Sequence, residues 1–264
     1  MNKLLLGRYL PGDSWLHKLD PRTKLMASFY YIAIIFLANN WQSYLMMFVA
    51  TMIMVAASKI RLGFFMRGVR PMLWLILFTV ALQVFFTKGG AVYWSWGWLA
   101  ITQYGLTNGA FIFMRFVLII FVSTLLTLTT PPLALADAVE SLLHPLRKIG
   151  VPVTELALVL QIALRFVPTL MDQTTKIMNA QRARGVDFGS GNLFQQMKAV
   201  VPLLIPLFVD SFGIAEDLAT AMDARGYQGG DGRTKYRILQ YHPRDVYAGG
   251  WMVILTLGLV FLRA

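Results

Sequence analysis

Cysteine is absent from this chain of 264 residues, and charged side chains are scarce. Without cysteine, no disulfide can hold a small secreted domain together, so that class of protein is excluded. Only 14% of the residues are charged and 57% are hydrophobic, whereas a soluble domain has about 25% charged residues. This balance excludes a soluble enzyme and a disordered scaffold, and it predicts a membrane protein.

Acidic residues are few as well, since 13 Asp and Glu stand against 24 Lys and Arg and the formal charge is +11. Such an excess occurs in nucleic-acid-binding proteins. In a chain this apolar, however, it is typical of the Lys and Arg bias of cytoplasmic loops. The positive charge is therefore interpreted as a marker of membrane orientation, and no nucleic acid is expected among the partners.

Uncharged runs predict about five transmembrane helices. Residues 25–58 contain 34 positions without a charge, and as one helix they would be about 51 Å long, beyond a hydrocarbon core of about 30 Å. This run must fold back, and the polar residues 39–42 supply the turn. The other predicted spans are residues 71–87, 105–130 and 246–262. Residues 88–104, which are rich in Trp and Tyr, are predicted to form a loop anchored at the membrane interface.

The positions of the basic residues test this topology, because the side with the excess of Lys and Arg is cytoplasmic. Five lie in the N-terminal arm, four in residues 59–70 and twelve in residues 131–245, which together are 21 of the 24. The sequence therefore predicts an all-α polytopic membrane protein with a cytoplasmic N-terminus. Its predicted parts are a cytoplasmic arm (1–24), four transmembrane helices (25–130), a cytoplasmic domain of long amphipathic helices (131–245) and a C-terminal transmembrane helix (246–264).

Two long amphipathic helices are predicted within residues 131–245. Apolar residues recur at helical spacing from Thr154 onward, and again after Asn192. Pro168 in the first helix and Pro202 and Pro206 in the second are predicted to bend them, because proline removes a backbone donor and crowds the preceding turn. Both helices end in the same tripeptide, formed by Ala183, Arg184 and Gly185 in the first and by Ala224, Arg225 and Gly226 in the second.

The repeated Ala-Arg-Gly tripeptide has two interpretations. At a single helix end, Arg complements the helix dipole and Gly caps the helix. Alternatively, the small residues let a partner's backbone approach, and the guanidinium pairs bidentately with a carboxylate or with carbonyl groups. Because the tripeptide occurs at two equivalent helix ends, we favour the second interpretation. It predicts two docking points for two similar partners.

Other candidate chemistry is weakly supported. The chain has no GxxxxGK[ST] motif, and its three His occur without an HExxH motif or Cys, so neither an ATP site nor a metal site is predicted. Gly105 and Gly109 form one GxxxG motif, which we interpret as close helix packing. Arg115 lies inside the fourth predicted span, where a charge is costly. It either pairs within the protein or extends toward the interface.

One function to consider for a membrane protein of this kind is that of a self-sufficient secondary transporter. Such a protein carries intramembrane acids or His for ion coupling, and often two similar halves. The predicted spans contain no acid and no His. An intramembrane enzyme would lack its reactive groups for the same reason. The residues therefore favour neither of these two functions.

With these motifs established, the chain resembles the transmembrane coupling proteins (EcfT) of energy-coupling factor (ECF) transporters over essentially its whole length. Besides the paired Ala-Arg-Gly motifs, the resemblance rests on residues 7–14 (GRYLPGDS), 17–24 (HKLDPRTK) and 163–168 (ALRFVP). It implies a subunit of an ABC importer that transmits the ATP-driven motion of two cytoplasmic ATPases (EcfA and EcfA′) to a substrate-binding membrane S-component. The cargo implied is a vitamin or another micronutrient.

The resemblance also implies roles for the two amphipathic helices. Arg184 and Arg225 would each enter a groove on one ATPase, and the helices, as coupling helices, would support the S-component with their apolar faces. ATP would be bound by the partner ATPases, so that the chain itself has no cofactor and no catalytic residue. The implied location is the lipid bilayer of a prokaryotic cell membrane.

Overall fold

The computed structural model describes residues 9–96, 99–189, 192–229 and 238–263. The chain divides into two compact units, one made of residues 1–138 and 239–264 and the other of residues 139–238. Helices dominate both units, which confirms the all-α prediction. The elements in chain order are α1 (Pro21–Ile35), α2 (Trp41–Ser58), α3 (Leu62–Val69), α4 (Leu73–Phe86), β1 (Val92–Trp96), β2 (Leu99–Thr102), α5 (Gln103–Thr129), α6 (Pro132–Leu143), α7 (Val153–Ala183), α8 (Leu193–Ala224) and α9 (Pro243–Arg263).

The uncharged residues 25–58 form two helices with a turn between them, as predicted, but the turn does not include Trp41 and Gln42, which begin α2. Residues 36–40 separate the end of α1 from the start of α2. The Asp20 carboxylate caps α1 by accepting a hydrogen bond from the backbone N–H of Arg22 at 2.8 Å. With 15 residues, α1 is about 22 Å long, which is shorter than a hydrocarbon core.

α5 is the central helix of the first unit, because α1, α2, α3 and α4 all pack against it. Its buried Leu118 and Val122 belong to a core shared with α1, α2 and α9. In this core the Tyr31 hydroxyl donates to the carbonyl oxygen of Met47 at 2.9 Å and lies 2.6 Å from the hydroxyl of Thr51. These bonds satisfy a hydroxyl that hydrocarbon cannot solvate.

α4 and α5 approach each other closely at Gly105 and Gly109. A Cβ at Gly105 would lie 2.8 Å from the carbonyl oxygen of Val84, and one at Gly109 would lie 2.9 Å from a methyl group of the same valine. The GxxxG motif therefore serves helix packing, as predicted. Thr102 closes this end of the pair, since its hydroxyl donates to the Thr87 carbonyl at 2.8 Å and accepts from the Gly105 N–H at 3.0 Å.

The segment predicted as a loop contains an antiparallel β-hairpin. β1 and β2 pair from Val92 opposite Thr102 to Trp96 opposite Leu99. Aromatic residues are typical of interface anchors, but consecutive Val, Tyr and Trp residues also favour a strand. The prediction of a loop is corrected accordingly.

Asp245 ties the N-terminal arm to the start of α9. Its carboxylate, in a side chain that is 6% exposed, accepts the backbone N–H of Asp20 at 2.9 Å and that of His242 at 2.8 Å. Asp20 also forms a salt bridge with Arg22 at 3.1 Å. The Arg22 guanidinium lies 4.1 Å from the centre of the Tyr241 ring. The arm and the entry to α9 are therefore held together by hydrogen bonds, an ion pair and a cation–π contact.

Six helical stretches of the described chain are long and apolar enough to cross a membrane. Four of them overlap predicted spans, namely α2, Leu62–Phe86, α5 and α9, whereas α1, the helix of the first predicted span, is not among them. The other two are α7 and Gln196–Ala224 of α8, with mean hydropathies of 1.6 and 1.7 against 1.7 for α9. The chain is thus a multi-pass membrane protein. Length and composition do not separate α7 and α8 from the spanning helices, so their cytoplasmic position stays a prediction that rests on charge.

Candidate functional site

The first Ala-Arg-Gly motif closes α7 with a defined capping geometry. The N–H of Gly185 donates to the carbonyl oxygen of Arg182, and the N–H of Val186 donates to that of Gln181, both at 3.0 Å. This pair of bonds defines a Schellman motif, which requires a left-handed residue just after the helix. Gly185 meets the requirement with a φ of 89°.

The second motif closes α8 in the same way. Here Gly226 donates to the carbonyl oxygen of Asp223 at 2.9 Å, and Tyr227 donates to that of Met222 at 3.1 Å. Gly226 has a φ of 74°. The tripeptide repeated in the sequence is therefore repeated as a three-dimensional structure, and the capping role predicted for the glycines is correct.

Capping explains the glycines but not the arginine side chains. Arg184 and Arg225 are exposed, as are the Ala and Gly on either side of each. Within the described part of the chain, neither guanidinium has a hydrogen-bond or ion-pair partner. Each helix tip thus presents a planar fork of N–H donors, flanked by residues too small to block a partner's backbone.

α7 and α8 pack against each other in antiparallel directions. Near the end of α7, the side-chain amide of Gln181 donates to the carbonyl oxygen of Pro202 in the first half of α8, at 3.2 Å. In the first half of α7, Ile162 lines the same groove as Met222 near the end of α8. The two arginine tips consequently lie at opposite ends of this helix pair.

A groove of about 520 Å³ lies beside the second tip, and it contains a second arginine. Arg165 of α7 lines it together with Arg225 and Tyr227, and none of its described lining residues is acidic. Two guanidinium groups make this end of the pair well suited to a carboxylate. Along α7, Arg165 and Arg184 are about 28 Å apart, which approximates the separation of the two tips.

Sequence reasoning missed Arg165 as a site residue. It occurs in the ALRFVP stretch, but periodicity places it only on α7 and gives it no neighbour on α8. The antiparallel packing of the two helices brings it to the Arg225 tip.

A proline explains why Gln181 bonds to the backbone of α8. Pro206 has no N–H, so the carbonyl of Pro202, four residues earlier, lacks its helical donor. The Gln181 amide supplies the missing donor from the neighbouring helix. Pro168 likewise lies inside α7. Pro206, one of the predicted prolines, thus leaves a carbonyl free to accept a hydrogen bond from the neighbouring helix.

Arg115 belongs to the first unit. Its Nη2 donates to the hydroxyl of Tyr44 at 2.8 Å, and its guanidinium lies 4.9 Å from the centre of the Phe36 ring. This charge therefore has partners within the protein. Its described partners are a hydroxyl and an aromatic face rather than an acid.

Fold and site together define a multi-pass α-helical membrane protein that carries two matched, exposed arginine tips. Across the described residues, no group of three or more His, Asp or Glu side chains could hold a metal ion. Residues 12–236 match the protein family described as CbiQ, cobalt transport protein.

The whole chain is similar to bacterial proteins named energy-coupling factor transporter transmembrane protein EcfT. It is 78% identical to that of Lacticaseibacillus paracasei over 264 residues, which are 100% of both chains. It is 57% identical to EcfT 1 of Listeria monocytogenes over 100% of this chain and 99% of the relative. The identity is 48% to the protein of Bacillus subtilis, again over 100% of both. The chain belongs to this family, the transmembrane components of ECF transporters, which confirms the resemblance seen in the sequence.

Proposed function

We propose that this chain couples two cytoplasmic ABC ATPases to a substrate-binding membrane S-component, for uptake of vitamins or other micronutrients across a bacterial cell membrane. The observation that carries the proposal is the pair of exposed arginines, Arg184 and Arg225, held in identical caps at opposite ends of one helix pair. Two identical tips suit two similar partners. ATP is bound by those partners, and this chain contributes neither a catalytic residue nor a cofactor.

In the proposed mechanism, each arginine tip enters a groove on one ATPase and pairs there with a carboxylate or with carbonyl groups. When the ATPases close on ATP, they move the two tips and change the angle between α7 and α8. The exposed apolar face of α8, which includes Ile205, Phe208 and Phe212, carries this change to the S-component. The prolines inside both helices are the proposed points of articulation.

Co-purification with tagged ATPase subunits, followed by an assay of ATP-driven uptake in proteoliposomes, tests the proposal. Arg184→Ala and Arg225→Ala are each expected to weaken capture of one ATPase by about 30-fold or more, because truncating one member of a desolvated charge pair costs about 2–5 kcal/mol. Arg165→Ala is expected to weaken only the ATPase held at the Arg225 tip. The double variant Arg184→Ala Arg225→Ala is expected to lose both ATPases and uptake.

Matched controls remove a positive charge near the tips without touching them. Arg182→Ala deletes an exposed guanidinium in the last turn of α7, which lies 5.9 Å from the Phe188 ring. Lys198→Ala deletes an exposed ammonium near the start of α8. Both controls should keep capture and uptake. Full capture and uptake by the double tip variant would refute docking through the arginines, and uptake by this chain without any ATPase would favour the secondary transporter.

A further inference from the structure

Arg115 has an unmet hydrogen-bonding requirement. It is the single charged residue of α5. Its Nη2 is bonded to the Tyr44 hydroxyl, but its Nε is buried and has no hydrogen-bond partner within the described residues. A buried donor without an acceptor is costly, and a charged one more so. An acceptor from outside the chain would therefore stabilise this position.

A pocket of about 400 Å³ lies beside this guanidinium. We call it the Arg115 pocket. Three carboxamides line it, from Asn39, Gln83 and Asn108, and the other described lining residues are apolar. Each carboxamide can donate N–H groups. No described lining residue is acidic, so the pocket combines one positive charge with several donors. It suits a group that has negative charge and several acceptor oxygens.

The carboxamides of the Arg115 pocket lie near helix ends, whereas Arg115 itself lies near the middle of α5. Asn39 precedes α2, Gln83 is in the last turn of α4, and Asn108 is in the second turn of α5. Trp41, at the start of α2, is 58% exposed, and its ring centre lies 4.9 Å from that of Phe111, which lines the pocket. Exposed Trp residues are typical of the membrane interface.

We propose that the Arg115 pocket binds the phosphate group of an anionic phospholipid. A phosphodiester carries one negative charge, which matches the single guanidinium, and its oxygens accept from the carboxamides. The exposed side chains of Leu82 and Phe86 on α4, and of Phe36 after α1, offer apolar surface for the acyl chains. The lipid then links α1, α2, α4 and α5 at the end of the bundle opposite the N-terminal arm.

A photoactivatable phosphatidylglycerol, with its reactive group near the headgroup, tests the proposal on the purified transporter complex. Crosslinks mapped by mass spectrometry are expected in residues 36–44 and 108–115. Arg115→Gln is expected to reduce them about tenfold, the effect of losing one hydrogen bond to a charged group. The control Arg67→Gln removes an exposed charge on α3 and should leave them unchanged. Undiminished crosslinks in Arg115→Gln would overturn the proposal.

A second variant separates lipid binding from core packing. Gln83→Leu Asn108→Leu leaves Arg115 and its contacts to Tyr44 and Phe36 in place, so loss of crosslinks there reports on the pocket itself. Two further arms identify the anion. Excess inorganic phosphate is expected not to compete with the lipid probe. Displacement of the probe by phosphate would assign the pocket to a soluble anion and overturn the lipid proposal. An uncharged diacylglycerol probe should label these residues weakly, and equal labelling would show that the phosphate is not recognised.

Discussion

At the scale of single residues, Lys24 shows the effect of a buried charge where the arm meets the bundle. Its side chain is 8% exposed, and its ammonium donates to the carbonyl oxygens of Thr129 at 3.0 Å and His17 at 3.2 Å. Burial lowers the pKa of Lys24 to about 8, although the nearby carboxylates of Asp20 and Asp245 act in the opposite direction. The residue precedes the first uncharged run, so it lies outside the predicted span.

Lys24 is expected to make the folded state more stable as pH rises from about 8 to 10.5. In the folded chain Lys24 loses its proton near pH 8, whereas in the unfolded chain it keeps the proton up to its ordinary pKa of 10.5. The unfolded state therefore binds more protons in this window, and the free energy of unfolding increases by at most about 1.4 kcal/mol per pH unit.

Circular dichroism of unfolding in mixed detergent micelles, repeated across this pH range, measures the Lys24 effect. Lys24→Met should remove this contribution to the slope. Lys18→Met, which replaces an exposed lysine of the same arm, should keep it. If the free energy of unfolding rises with pH as steeply in Lys24→Met as in the unaltered protein, Lys24 is not the cause of the rise.

At the scale of elements, features set by local sequence were predictable, whereas features set by packing between helices were not. The caps at Gly185 and Gly226 require only the residues of one helix end, so the tripeptide is enough to predict them. The packing register of α7 against α8 decides that Gln181 donates to α8 and that Arg165 lies beside Arg225. Hydrophobic periodicity defines the buried face of each helix but not which residue meets which.

A double-mutant cycle tests whether Pro206 creates the acceptor that Gln181 satisfies. Gln181→Ala is expected to destabilise the protein by about 1–3 kcal/mol, because it leaves the part-buried Pro202 carbonyl without a donor. In a Pro206→Ala background the backbone N–H of residue 206 can bond to that carbonyl. The same Gln181→Ala change should then cost much less, which gives a measurable coupling energy.

The matched control for this cycle uses the proline in the other helix. Pro168→Ala alters α7 but leaves the Pro202 carbonyl without its helical donor, so Gln181→Ala should cost as much there as in the unaltered protein. Measuring the free energies of unfolding of the single and double variants gives the cost of Gln181→Ala in each background. Equal costs of Gln181→Ala with and without Pro206 would show that the hydrogen bond does not compensate for the proline.

At the scale of the whole molecule, hydropathy and charge give different information about α7 and α8. Their apolar stretches are as hydrophobic as that of α9, and by this measure they resemble spans. The connection between them is flanked by Arg182, Arg184 and Lys198, which favours the cytoplasmic side. Two additional spans would leave the orientation of α9 unchanged, so the course of α9 cannot decide between the alternatives.

The side of the membrane on which each arginine tip lies does distinguish cytoplasmic from membrane-spanning α7 and α8. If α7 and α8 crossed the membrane, residues 184–189 would face outward and residues 225–229 inward, and the tips could not both meet cytoplasmic ATPases. Because the chain has no Cys, Gly189→Cys and Gln228→Cys each introduce a single thiol for a membrane-impermeant maleimide. Both are expected to react only in permeabilised cells, as should Lys59→Cys, whereas Lys88→Cys should react in intact cells. Labelling of Gly189→Cys in intact cells would place Arg184 outside and refute the coupling role of α7 and α8.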